Sequence, residues 1–149
     1  MRLLLIICFF ALSALAADDA LRDWRRRLGV EEEYTNSKCV FVGKVVSSKR
    51  IMDKDGSIQG TLYVVRVEEL LKGSPPEDVQ IYDENSSGRF PMRASRKYLL
   101  FAYEDTFEGV AGFCLAINNC GNSGTLSRAK KELVMVGELK KAQPRALSQ

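Results

Sequence analysis

The sequence contains no histidine. That removes a histidine general base, a Ser-His-Asp or Cys-His nucleophile system, and any zinc site with histidine ligands. Proline is scarce at 4 residues, glycine is ordinary at 11, and tryptophan occurs once, so a fibrous or low-complexity chain is excluded. Charge of neither sign dominates: 22 Lys+Arg stand against 19 Asp+Glu. With 46% hydrophobic residues the chain is too apolar to be disordered. Its 149 residues give room for one domain with a core, and not two. Gly-x-Ser-x-Gly is missing, and the plentiful carboxylates form no recognisable pair near a motif, so catalysis is not expected and neither is a cofactor or metal.

Long apolar runs are also missing, with one exception. Met1-Arg2 is followed by an apolar stretch from Leu3 to Ala17, broken only by Ser13 and ending at Asp18-Asp19. One positive charge, a short apolar run and the small-x-small pattern Ala14-Leu15-Ala16 make a secretory signal peptide over residues 1–16. A membrane anchor needs about 20 apolar residues, so no membrane span is expected after cleavage following Ala16. The mature chain is then 133 residues with 21 basic and 19 acidic side chains. The expected location is extracellular, where disulfides persist. Cys8 leaves with the signal, and Cys39, Cys114 and Cys120 remain. Three is odd: one bridge forms and one thiol is left, or the third pairs between chains.

The mature chain opens with a short amphipathic helix over residues 18–28, where Leu21, Trp24 and Leu28 share a stripe and Arg22, Arg25, Arg26 and Arg27 take the other faces. A polar connector, Glu31–Ser37, completes an N-terminal segment of residues 17–37. From Cys39 the pattern is β. The first strand, Cys39–Val46, carries Gly43 where a coiled strand needs a bulge. A turn at residues 52–57 has Asp55-Gly56 at its tip. A calcium loop built on Asp53 and Asp55 fails, because the glycine comes too early and no helix flanks it. Thr61–Glu68 is the second strand, with Leu62, Val64 and Val67 on packed faces. Val79–Tyr82 is the third, residues 83–96 are a polar loop, and Tyr98–Tyr103, apolar throughout, is a central fourth strand. Val110–Ile117 is the fifth, and a helix over Leu126–Leu139 follows, with Ala129, Leu133, Val136 and Lys140 on one face. The tail over residues 142–149 is expected to fray. The fold class is therefore β-rich: a five-stranded barrel of the OB-fold type over residues 38–141, with a short N-terminal helix and a C-terminal helix.

Four segments occur in a telling order: Val40–Val45, Tyr63–Gly73, Lys97–Ala102 and Asn119–Ala129. Their succession resembles the netrin-like (NTR) module of the tissue inhibitors of metalloproteinases (TIMPs), over roughly residues 38–136. The resemblance implies a five-stranded OB-fold-like barrel with packed helices. It also implies a zinc-chelating N-terminal Cys-x-Cys, and here the sequence departs from the family. The expected mature terminus is Ala17-Asp18-Asp19, with no cysteine before Cys39, and no cysteine stands near Ser86-Ser87-Gly88. Only Cys120 matches a family cysteine. Of three possible pairings, those with Cys120 are favoured, Cys39 ahead of Cys114 as its partner. A Cys39–Cys120 bridge would close a loop of about 80 residues and stabilise by ~4 kcal/mol on the chain-entropy model.

The expected function is a secreted, non-catalytic netrin-like module that binds an extracellular protein or matrix component. A divergent metalloproteinase inhibitor, with a metalloproteinase as partner, is the alternative, and a structural protein of an extracellular or mineralised matrix is a third class. Two basic clusters, Arg25-Arg26-Arg27 and Arg89, Arg93, Arg96 and Lys97, read either as solvated faces or as sites for sulfated glycosaminoglycan. Export argues against nucleic acid as a partner. Asn85-Ser86-Ser87 is a glycosylation sequon in a polar loop.

Overall fold

The computed structural model describes residues 29–107 and 114–143. The elements are helix α1 (Val30–Asn36), strands β1 (Cys39–Met52), β2 (Ile58–Lys72), β3 (Asp78–Glu84), β4 (Lys97–Glu104), β5 (Leu115–Ile117) and β6 (Gly124–Thr125), and helix α2 (Lys130–Ala142). The strands run in the order β1-β2-β3-β5-β4-β6, and β1 pairs with β4 to close the sheet. β1 to β5 thus form an OB-fold-like barrel with one short helix before it and a C-terminal helix after it. Pairing is antiparallel except for β3 with β5, which meet in parallel at Ile81 and Leu115.

The β1–β2 hairpin turns where the sequence places a turn. Asp53 N donates to Ser57 O at 2.8 Å, Gly56 N donates to Asp53 O at 3.0 Å, and Gly56 takes a φ of +83°, a region L side chains rarely adopt. Closure requires β1 to coil, and its ladder with β2 shifts register between Val42 and Gly43 and again between Val45 and Ser47. The expected bulge at Gly43 is therefore present. A Cβ there would lie 2.5 Å from Val65 Cγ1, so only glycine lets the two strands approach.

Two apolar layers follow from the alternation of β1 and β4. Cys39, Phe41, Val45, Tyr98, Leu100 and Ala102 face the barrel interior with Tyr63, Val65, Val79, Ile81 and Leu115. Val40, Val42, Leu99 and Phe101 face outward and are covered by Val30 and Tyr34 of α1 and by Val136 of α2. β4 is buried on both faces over Tyr98–Ala102, which is why its sequence shows no alternation.

Several expectations are corrected. Residues 31–37 are helical over Val30–Asn36 instead of forming a connector. On β2 the inward residues are Tyr63, Val65 and Val67, while Leu62 and Val64 are half-buried on the other side; four consecutive apolar residues carry no parity signal, and cross-strand register decides it. β1 and β2 extend well past the expected ends, because each pairs with the other out to the turn. The loop between β3 and β4 is not merely polar, since Met92 is buried in the barrel core and Phe90 packs beside it. α2 starts at Lys130, four residues late, because Gly124–Thr125 are taken up as β6 against Leu99 and Tyr98. It ends at Ala142, inside the expected tail. The helix expected over 18–28 with Arg25, Arg26 and Arg27, the signal peptide, and the first part of the expected fifth strand lie outside the described residues.

No disulfide is formed among the described residues: Cys39 and Cys114 are buried free thiols and Cys120 is an exposed one. The topology gives the reason. Cys39 faces the barrel interior opposite Ala102, and β4 stands between β1 and the end of β5 that leads to Cys120. Cys114 precedes Leu115 and is not part of that interior cluster.

Candidate functional site

A depression lies at one end of the barrel, between the β3–β4 loop and the segment from β5 to α2. It is an open groove of about 740 Å³, lined by Phe90, Arg93, Arg96 and Tyr98 on one side and by residues 121–129 and Glu132 on the other.

The first wall is a loop held by its own backbone. Phe90 N donates to Asp83 Oδ1 at 2.6 Å, Met92 N to Tyr63 Oη at 3.2 Å, and Arg93 N to Tyr98 Oη at 2.9 Å. Ser95 N donates to Val45 O at 2.9 Å and Val45 N to Arg96 O at 3.0 Å, which continues the β1 ladder into the loop. Ser95 takes a φ of 62° to make this turn, a strained conformation for a residue with a Cβ. These bonds fix the backbone beneath Arg93 and Arg96. Burial pushes the Asp83 carboxyl above its ordinary value, against the opposing effects of the Phe90 N–H and the Arg89 charge.

The second wall is the Gly121–Ala129 segment. Ser123 Oγ accepts from Phe101 N at 2.9 Å, Leu126 N donates to Lys97 O at 3.0 Å, and Thr125 O accepts from both Arg128 N and Ala129 N, at 2.8 and 3.0 Å. Behind it stands Glu33 of α1, only 6% exposed. Its Oε2 accepts from Asn122 N at 2.5 Å and from Asn122 Nδ2 at 2.7 Å. Burial raises the Glu33 carboxyl above its ordinary value, and the two Asn122 bonds pull it back only in part.

Of the second basic cluster, the structure brings Arg93 and Arg96 together in the groove and leaves the others out. Arg89 Nη1 donates to Asn85 Oδ1 at 3.3 Å, and Lys97 pairs with Glu68 at 2.6 Å. The groove gains Arg128, which the sequence shows only as one residue of the Asn119–Ala129 segment. Its separation from Arg96 in the chain gave no sign that the two would line one groove. Among the described residues, no hydrogen bond or ion pair engages the guanidinium groups of Arg93, Arg96 or Arg128. Three such groups in one groove form a positive site whose planar forks match tetrahedral or carboxylate oxygens. Asn85 lies on an exposed turn, and its Nδ2 donates one hydrogen to Ile58 O at 3.0 Å.

Among the described residues, no three His, Cys, Asp or Glu side chains gather as a metal site, and no helix is long and apolar enough to cross a membrane. Comparison with protein-family models and with curated proteins finds no match for this chain. What the structure defines is a closed OB-fold-like barrel, flanked by two helices, with an arginine-lined groove at one end.

Proposed function

We propose that the protein is a secreted, non-catalytic netrin-like binding module, and that its arginine groove holds a sulfated polysaccharide of the extracellular matrix. The observation that carries this reading is the convergence of Arg93, Arg96 and Arg128 on one open groove, with no ion pair to their guanidinium groups among the described residues. Guanidinium groups bind sulfate oxygens in bidentate fashion, and each contact releases a condensed counterion from the polyanion. A groove open at its surface also admits an extended chain, which an enclosed pocket does not.

The test is calorimetric titration with a heparin-derived hexasaccharide at several salt concentrations. Wild-type protein binds with an affinity that falls as salt rises. Arg93→Ala, Arg96→Ala and Arg128→Ala each weaken binding about five- to tenfold and lower the slope of log K against log salt by about one. Arg66→Ala serves as control, because Arg66 already pairs with Asp78 on the exposed β2–β3 surface, at 3.0 and 3.1 Å. Equal affinity for polyglutamate would reassign the groove to an acidic protein. Stoichiometric inhibition of a matrix metalloproteinase by a protein that ignores the oligosaccharide would favour the inhibitor alternative and overturn the proposal.

A further inference from the structure

We infer that Glu33 is a positioning residue for the arginine groove, an inference that rests on the binding role just proposed: its carboxylate, reaching from α1, sets the backbone of Gly121–Ser123 and through it the place of Arg128. The grip is two-sided. From behind, Glu33 Oε2 accepts from Asn122 N and Asn122 Nδ2, at 2.5 and 2.7 Å, across 89 residues of sequence. From the barrel, Phe101 N donates to Ser123 Oγ at 2.9 Å. Gly121 completes the fit, since a Cβ on it would collide with the Glu33 carboxylate. From Ser123 the chain passes into β6, paired to Leu99 and Tyr98, and the Thr125 carbonyl then holds the amide of Arg128. A continuous series of fixed groups therefore runs from Glu33 to the third arginine.

Among the described residues, no cation forms an ion pair with this carboxylate. Lys72, the ammonium that the end of β2 brings to the same helix, gives its hydrogen bonds to the carbonyls of Tyr34, Thr35 and Ser37, at 2.6 to 2.8 Å. Glu132, 5% exposed in the groove wall, is an acid like Glu33. The two bonds to Asn122 therefore tie α1 to the wall at one oxygen of this buried side chain.

The experiment is a double-mutant cycle on the full secreted protein, with the heparin-derived hexasaccharide as probe and the thermal midpoint measured alongside. Glu33→Met keeps the length of the side chain and removes the acceptor that both Asn122 donors use. The variant binds about tenfold more weakly, with a salt slope lower by about one. Arg93→Ala loses its full five- to tenfold in the Glu33→Met background, whereas Arg128→Ala loses little more, because Arg128 is already displaced. A role in folding alone would lower the midpoint and leave all three arginine effects intact. Binding by Glu33→Met at wild-type strength, or an undiminished Arg128→Ala effect in its background, overturns the inference while the binding role stands. If the wild-type protein does not bind the probe, both fall. Should Glu33→Met not fold, Gly121→Ala displaces the same carboxylate from the other side and is read by the same cycle.

Discussion

The chemistry of single residues here is set by which way each one faces. Cys39 is 2% exposed, and burial pushes its thiol up to about 11 despite the nearby Lys38 and Lys72 charges. Burial also raises Cys114, while Cys120 stands in solvent on the turn after β5. The thiolate is the reactive form, so reactivity tracks exposure and a thiol at its ordinary or lower value. Of these three cysteines, treatment of the native protein with a disulfide reagent is expected to label Cys120, with Cys39 and Cys114 reacting only after denaturation. Peptide mass mapping before and after unfolding checks this, and rapid native labelling of Cys39 would contradict its place inside the barrel. Nothing in the residue type distinguishes the three cysteines. The bridge expected from their number fails because facing is decided by strand register.

At the scale of elements, α1 is the instructive case. Val30–Asn36 is seven residues long, too short to persist alone. Three consecutive glutamates in its first turn suit the positive end of a helix, yet as a bare sequence they read as a polar connector. Tertiary partners make it a helix. Val30 and Tyr34 enter the outer apolar layer, and the Tyr34 hydroxyl donates to Leu71 O at 3.2 Å. Lys72 Nζ caps the carbonyl end with three hydrogen bonds to Tyr34, Thr35 and Ser37. Those carbonyls are the ones a helix leaves unsatisfied. Lys72→Met keeps the apolar stem and removes the cap, so it is expected to destabilise the protein by about 1–2 kcal/mol, a figure reduced for partial exposure. Urea unfolding measures it, and an unchanged midpoint would mean that water replaces the ammonium. β4 is the opposite case: buried on both faces, it was legible as a central strand from its unbroken apolar run alone.

For the whole molecule, one buried and one half-buried carboxyl give stability a definite dependence on pH. Glu33 and Asp83 are both raised above their ordinary values of 4.5 and 3.8, chiefly by burial. A group raised in the folded state binds more protons folded than unfolded. Its contribution is present below the ordinary value and is lost as pH rises through the folded one. From these two groups, stability is expected to decline as pH rises above 3.8 for Asp83 and above 4.5 for Glu33. The Glu33→Gln, Asp83→Asn double variant is expected to show a flatter profile over that window. Chemical denaturation at a series of pH values tests this, and an identical slope in the double variant would show that neither carboxyl is raised.

The sequence by itself determined the class of fold. A bulge at Gly43, a hairpin at Asp55-Gly56, an apolar fourth strand and a helix at the C-terminal end are local signals, each imposed by backbone freedom or hydrophobic periodicity, and together they describe the barrel that closes. It also singled out Arg93 and Arg96. Only the tertiary structure decided that Arg128 joins them, that Arg89 and Lys97 turn away to Asn85 and Glu68, and that Glu33 lies behind the groove wall. Each of these depends on contacts between segments far apart in the chain. Such contacts are fixed by how β4 sits between β1 and β6, and no periodicity within a single segment encodes that.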